Sequence, residues 1–147
     1  INKYLTQKVM TKILVIQSEL SHNSIFIKLL DLEGFNIIVS ENAIVGLSKA
    51  QSELPDLIIS DIVMPELDGY SLLKALRENP ITAIIPFVFL TSEVSQSQIR
   101  KAMEMGADDF IINSCTQEEF LKAITVRLER QAFLKQWYAA QTVKNLE

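Results

Sequence analysis

Short apolar runs alternate with helical stripes along this chain. Residues 12–16, Lys-Ile-Leu-Val-Ile, are β-branched and almost wholly apolar, the composition of a strand buried on both faces. Over residues 21–33, Ile25, Leu29 and Leu32 recur near helical spacing. Ser21 is placed to cap the start of that helix and Gly34 to stop its end. Residues 35–40 predict a second strand and 43–54 a second helix. Residues 56–60 predict a third strand, opened by Pro55 at its edge. Residues 70–78 follow Asp68-Gly69 and form a helix that ends before Pro80. Residues 86–90 and 109–112 read as the last two strands, separated by a helix over 97–105 that Gly106 stops. From Gln117 the pattern stays helical almost to the end.

Five such β-α units with short connections predict a doubly wound α/β fold, one parallel five-stranded sheet with helices on both faces and right-handed crossovers. In sheets of this kind the functional crevice lies beyond the carboxyl ends of the strands. The residues to inspect are therefore 17–19, Asp61, 91–92 and 113–114.

Composition narrows the chemistry. The 147 residues suit one domain with a tail, and 48% apolar content is enough for a core. A net charge of −4 speaks against direct binding of nucleic acid, which calls for a basic surface. One Cys and one His exclude an intrachain disulfide and a Cys/His zinc site. No apolar run approaches the length of a membrane span, and no signal pattern opens the chain, so a cytoplasmic protein with no membrane contact is expected. The chain opens on Ile1, and Met10, just ahead of the first strand, is a candidate natural start, as a piece of a longer protein would show. Glycines stand only at 34, 46, 69 and 106, too dispersed for a phosphate-cradling loop. His22, at the start of a surface helix, reads as a solvated or capping residue, and Cys115 as a small filler without an activating partner.

Four fragments sit in order on the predicted strand ends: residues 12–16, residues 61–69 (Asp-Ile-Val-Met-Pro-Glu-Leu-Asp-Gly), residues 89–92 (Phe-Leu-Thr-Ser) and residues 106–110 (Gly-Ala-Asp-Asp-Phe). Together they resemble the receiver domain of two-component response regulators, over about residues 11–127. The resemblance implies a flavodoxin-like (βα)5 fold that signals and is not an enzyme. It implies Asp61 as the phospho-acceptor, Thr91 as the hydroxyl that responds to the phosphoryl group, and Phe110 as the switch aromatic. Val63 would offer its backbone carbonyl, beside Asp61, to a magnesium ion. The implied partner is a histidine kinase or another signalling protein.

Four positions depart from the family pattern. Gln17 and Ser18 stand where the resemblance leads one to expect an acidic pair, with Glu19 next to them. Asn113 stands in place of the lysine, and Ser114 in place of the proline whose cis peptide bond usually follows. Family members hold three carboxylates against one lysine, a negative balance that a divalent ion cancels; here only Asp61 is charged. Each missing charge-assisted contact forfeits about 1.5–3 kcal/mol. An atypical receiver is expected, with no cofactor or weakly bound Mg2+ and weak or absent phosphorylation, acting through protein contacts. The alternatives are a working phospho-acceptor driven through Asp61 and, from another class, a flavodoxin-like cofactor binder.

Domain boundaries follow: residues 1–10 as an N-terminal extension, 11–127 as the receiver and 128–147 as a helical extension or linker. One helix from Gln117 would be about 45 Å long, more than the sheet needs. Its first half presents Leu121, Ile124 and Leu128 at core spacing, whereas Phe133, Leu134, Trp137 and Tyr138 have no place in a receiver core. They point to a homodimer through the last helix or a link to an output domain.

Overall fold

The computed structural model describes residues 10–18, 23–92 and 94–146. The strands are β1 (Lys12–Ile16), β2 (Asn36–Ser40), β3 (Leu57–Ser60), β4 (Phe87–Thr91) and β5 (Asp109–Ile112). The helices are α1 (Ser24–Leu32), α2 (Ala43–Glu53), α3 (Gly69–Glu78), α4 (Gln96–Glu104) and α5 (Gln117–Leu146). All strand pairs are parallel, in the order β2-β1-β3-β4-β5. Ile16 lies opposite Ser40 on one side and Ser60 on the other, so these three strands finish level. The strand order reverses between β1 and β3, which opens a crevice beyond their carboxyl ends.

Alternate residues of each strand feed two cores, one on each face of the sheet. Ile13, Val15, Leu57, Ile59, Val88, Leu90 and Ile111 pack under α1 and α5, against Phe26, Leu30, Phe120 and Ile124. Leu14, Ile16, Ile58, Phe87 and Phe89 pack under α2, α3 and α4, against Ala43, Ala50, Leu72, Leu73 and Leu76. The inward face of α1 differs from the expected one. Phe26 and Leu30 are buried, while Ile25 is 53% and Leu32 74% exposed. The reason is the ring of Phe26, which packs 4.7 Å from that of Phe120 on α5 and fixes the rotation of the shorter helix. Asn23 stands at the N-cap of α1; Ser21 lies outside the described residues, as do Glu19 and His22.

Arg77 closes the edge of the sheet opposite the crevice. Its guanidinium donates to the carbonyls of Ala83, Ile85 and Gly106 and pairs with Asp108 at 3.0 Å. Burial lowers its pKa from the ordinary value, against the opposing pull of Asp108. The same Asp108 oxygen accepts from the Phe87 amide at 2.7 Å, so one ion pair joins α3, the start of β4 and the start of β5. Beyond the core α5 runs on as one helix of 30 residues. Among the described residues no helix is long and apolar enough to cross a membrane.

The turn from β3 to α3 depends on Gly69. Its amide donates to the Ile62 carbonyl at 2.7 Å, folding the segment back on itself. A Cβ there would overlap the Asp61 carbonyl oxygen and stand 2.8 Å from a ring carbon of Phe89. Neither the backbone nor a packed ring can yield cheaply, so Gly69→Ala is expected to cost about 2 kcal/mol or more. Urea unfolding measures this, and an unchanged midpoint would show that the turn has room to spare.

Candidate functional site

Asp61 follows the last residue of β3, and its amide donates to the Ile16 carbonyl at 3.0 Å. Carboxylate oxygen Oδ1 accepts from the Ile62 amide at 3.0 Å, and the Ser60 hydroxyl donates to the Asp61 carbonyl at 2.8 Å. The carboxylate is thereby aimed from a half-buried strand end. Val63 follows on an exposed loop, whose next residue, Met64, is buried in the core. Across the strand boundary, Gln17 and Ser18 continue from β1, both half-buried. The Gln17 amide donates to the Ser40 carbonyl at 3.0 Å. Its side-chain oxygen Oε1 is buried and has no hydrogen-bond partner among the described residues.

Thr91 ends β4 and is buried. Phe110, on β5, is half-buried with its ring 5.8 Å from that of Phe89, two residues before Thr91 on β4. Phe89 in turn packs against Phe87 at 4.9 Å and Tyr70 at 5.5 Å. The Tyr70 hydroxyl donates to the Gln98 carbonyl of α4 at 3.2 Å, and Lys101 lies 4.5 Å over its ring. Burial raises the pKa of this phenol, and Asp68 adds to the effect. An aromatic cluster therefore connects the Phe110 position with α3 and α4.

Asn113 follows β5 and is tied to β4 once directly and once through Asn23. Its amide donates to the Thr91 carbonyl at 2.7 Å. Its side-chain Nδ2 donates to Oδ1 of Asn23 at 3.1 Å, and Nδ2 of Asn23 donates to the Leu90 carbonyl at 2.9 Å. Asn23, 2% exposed, is the site residue that sequence reasoning misses. Its partners lie 67 and 90 positions along the chain, and an Asn ahead of a helix reads locally as a cap.

The fold thus gathers Gln17, Ser18, Asp61, Thr91 and Asn113 at the carboxyl edge of the sheet, with Phe110 two residues before the end of β5. Of these six side chains only Asp61 is ionisable as a carboxylate. Among the described residues no three His, Cys, Asp or Glu side chains converge as a metal would require. Between residues 112 and 116 every described peptide bond is trans, Ser114 included. Cys115 is half-buried, and burial followed by the Glu119 charge raises its thiol pKa, the opposite of what a nucleophile needs.

The arrangement has known counterparts. The sequence profile of the response regulator receiver domain matches residues 13–125. The chain is 36% identical over 135 residues to histidine kinase P4 of Formosa agariphila, covering 92% of this chain and 10% of that protein. It is 32% identical over 127 residues to the transcriptional regulatory protein CpxR of Escherichia coli, covering 86% of this chain and 53% of that protein. The chain thus spans a tenth of the kinase and about half of the regulator. In structure it is similar to the chemotaxis response regulator CheY4 of Vibrio cholerae, with a TM-score of 0.72 at 26% identity over 80% of this chain and 98% of that one. Fold, crevice and sequence agree, and the chain belongs to the response regulator receiver domain family, the receiving module of two-component signalling.

Proposed function

We propose that this receiver is an atypical one, signalling through protein contacts with weak or absent magnesium-dependent phosphorylation of Asp61 and no catalysis of its own. The observation that carries the reading is Asn113. It occupies the position where the family pattern has a cation, and its side-chain donor is committed to Asn23. A phosphoryl group on Asp61 would bring a charge of about −1.5 to −2 into a crevice without that lysine. Magnesium prefers an octahedron of oxygens with one or two carboxylates among them. The positions at hand supply Asp61, the Val63 carbonyl and the neutral side chains of Gln17 and Ser18, which do not fit a tightly held ion. In this reading the chain works in the cytoplasm, and its partner is a histidine kinase or another signalling protein.

The surface for those contacts is the outer side of α5, past the domain that we delimit at residues 11–127. Phe133 is 65%, Trp137 49% and Tyr138 63% exposed. Trp137 and Tyr138 pack edge to face at 5.2 Å, a preformed apolar patch. A second copy of the chain is the simplest partner for it.

Intact-mass measurement after incubation with magnesium and a small phosphodonor tests the site. No adduct is expected, and no shift in melting temperature with magnesium. An adduct that disappears in Asp61→Asn would establish the alternative, a working phospho-acceptor. Restoring Gln17→Asp, Ser18→Asp and Asn113→Lys together is expected to create magnesium affinity measurable by calorimetry; a silent titration would mean that these strand ends are wrongly matched to the family. Light scattering on the eluting protein tests the helix surface. The wild type is expected to dimerise and the Phe133→Glu/Trp137→Glu variant to remain monomeric. A wild type that stays monomeric at high concentration removes α5 as a self-association surface.

A further inference from the structure

We infer that Asn113, Asn23 and the Leu90 carbonyl form a latch that fixes the crevice in one arrangement without phosphate or cation. The two asparagines are its positioning residues. The inference deepens the reading above and rests on it for its meaning in signalling, though the latch itself is a matter of geometry. Asn23 precedes α1, Leu90 precedes Thr91 in β4, and Asn113 opens the β5–α5 turn. Three separate segments that bound the crevice are therefore tied by two side chains.

The polarity of the relay is forced. A backbone carbonyl only accepts, so Asn23 must turn its amide nitrogen to Leu90, at 2.9 Å. Its oxygen then faces Asn113, which must donate, at 3.1 Å. Each amide is used in one orientation, and the carboxylate isostere at either position would set two acceptors face to face. Burial raises the stakes. Asn23 is 2% exposed and its bond to the Leu90 carbonyl is closed to water, so that partner is not replaced cheaply; the bond from half-buried Asn113 is partly shielded. Beside the relay runs the Asn113 amide bond to the Thr91 carbonyl, at 2.7 Å. Asn113 therefore holds the end of β4 through its backbone and the start of α1 through its side chain. The position that the family pattern gives to a phosphate-binding cation is spent here on an internal contact.

Amide hydrogen exchange by NMR on the full chain tests the latch, with Asn113→Ala, Asn23→Ala, the double variant and Asn23→Asp. In Asn113→Ala, amides in the first turn of α1 and over residues 113–116 are expected to exchange about tenfold faster. The amides of Asn36, Asp56 and Asp108, at the far edge of the sheet, are expected to hold their wild-type rates. The double variant is expected to be no worse than the more severe single one. Asn23→Asp, with the shape unchanged, is expected to loosen α1 as much as Asn23→Ala does, which a merely space-filling residue would not. Unchanged α1 protection in Asn113→Ala, additive effects, a harmless Asn23→Asp, or acceleration spread evenly through the domain would each overturn the latch. The phosphodonor assay, run on the same wild-type sample, separates the two conclusions. An adduct there removes the phosphorylation-independent reading whatever the exchange rates, and unaltered exchange removes the latch whether or not an adduct forms.

Discussion

The bond from the Asp61 amide to the Ile16 carbonyl continues the β1–β3 ladder one step past the strands, and the crevice depends on it. It sets the residue after β3 level with the residue after β1, where the strand order reverses. Had the register slipped by one residue, every side chain of β1 would exchange faces, because strand side chains alternate. Ile13 and Val15 would leave the α1/α5 core, and Leu14 and Ile16 the opposite one. Register is thus enforced by two cores at once, and the crevice inherits its geometry from hydrophobic packing well away from it.

The same reasoning explains what could be read along the chain. Strands buried on both faces announce themselves as continuous apolar runs, and Asp61, Thr91 and Asn113 stand at the ends of three such runs. Local signals placed boundaries less well. The second helix stops at Glu53 because Leu54 takes a left-handed conformation at φ 48°, which nothing about leucine foretells. The rotation of α1 departs from its local apolar stripe because Phe26 answers to Phe120, almost a hundred residues away. Asn23 and Arg77 escaped for the same reason. Their roles consist of bonds to backbone carbonyls on distant segments, and carbonyls have no letter in the sequence.

Those two residues divide the work of holding the sheet's ends. At the edge opposite the crevice a charged group, Arg77, joins three carbonyls and Asp108. At the crevice edge neutral amides take the corresponding part. The difference matters because the two kinds of link respond to different things. A planar guanidinium half-buried among carbonyls gains from the low local dielectric and keeps its charge at any physiological pH. An amide relay has no charge to lose, to titrate or to screen with salt.

Signal reception by added charge requires a site whose balance of charges can be tipped. A phosphoryl group is felt most strongly where a cation waits to be drawn toward it and where carboxylates hold a metal beside it. In the reading proposed above, Gln17, Ser18 and Asn113 leave both counterparts neutral, so a phosphoryl group carried on Asp61 would meet no compensating charge from these positions. On that reading, removing the like charges also removes the repulsion between several carboxylates held together. The same substitutions would then quiet the crevice toward phosphate, while Asn113 spends its side-chain donor on Asn23 and so ties the crevice edge.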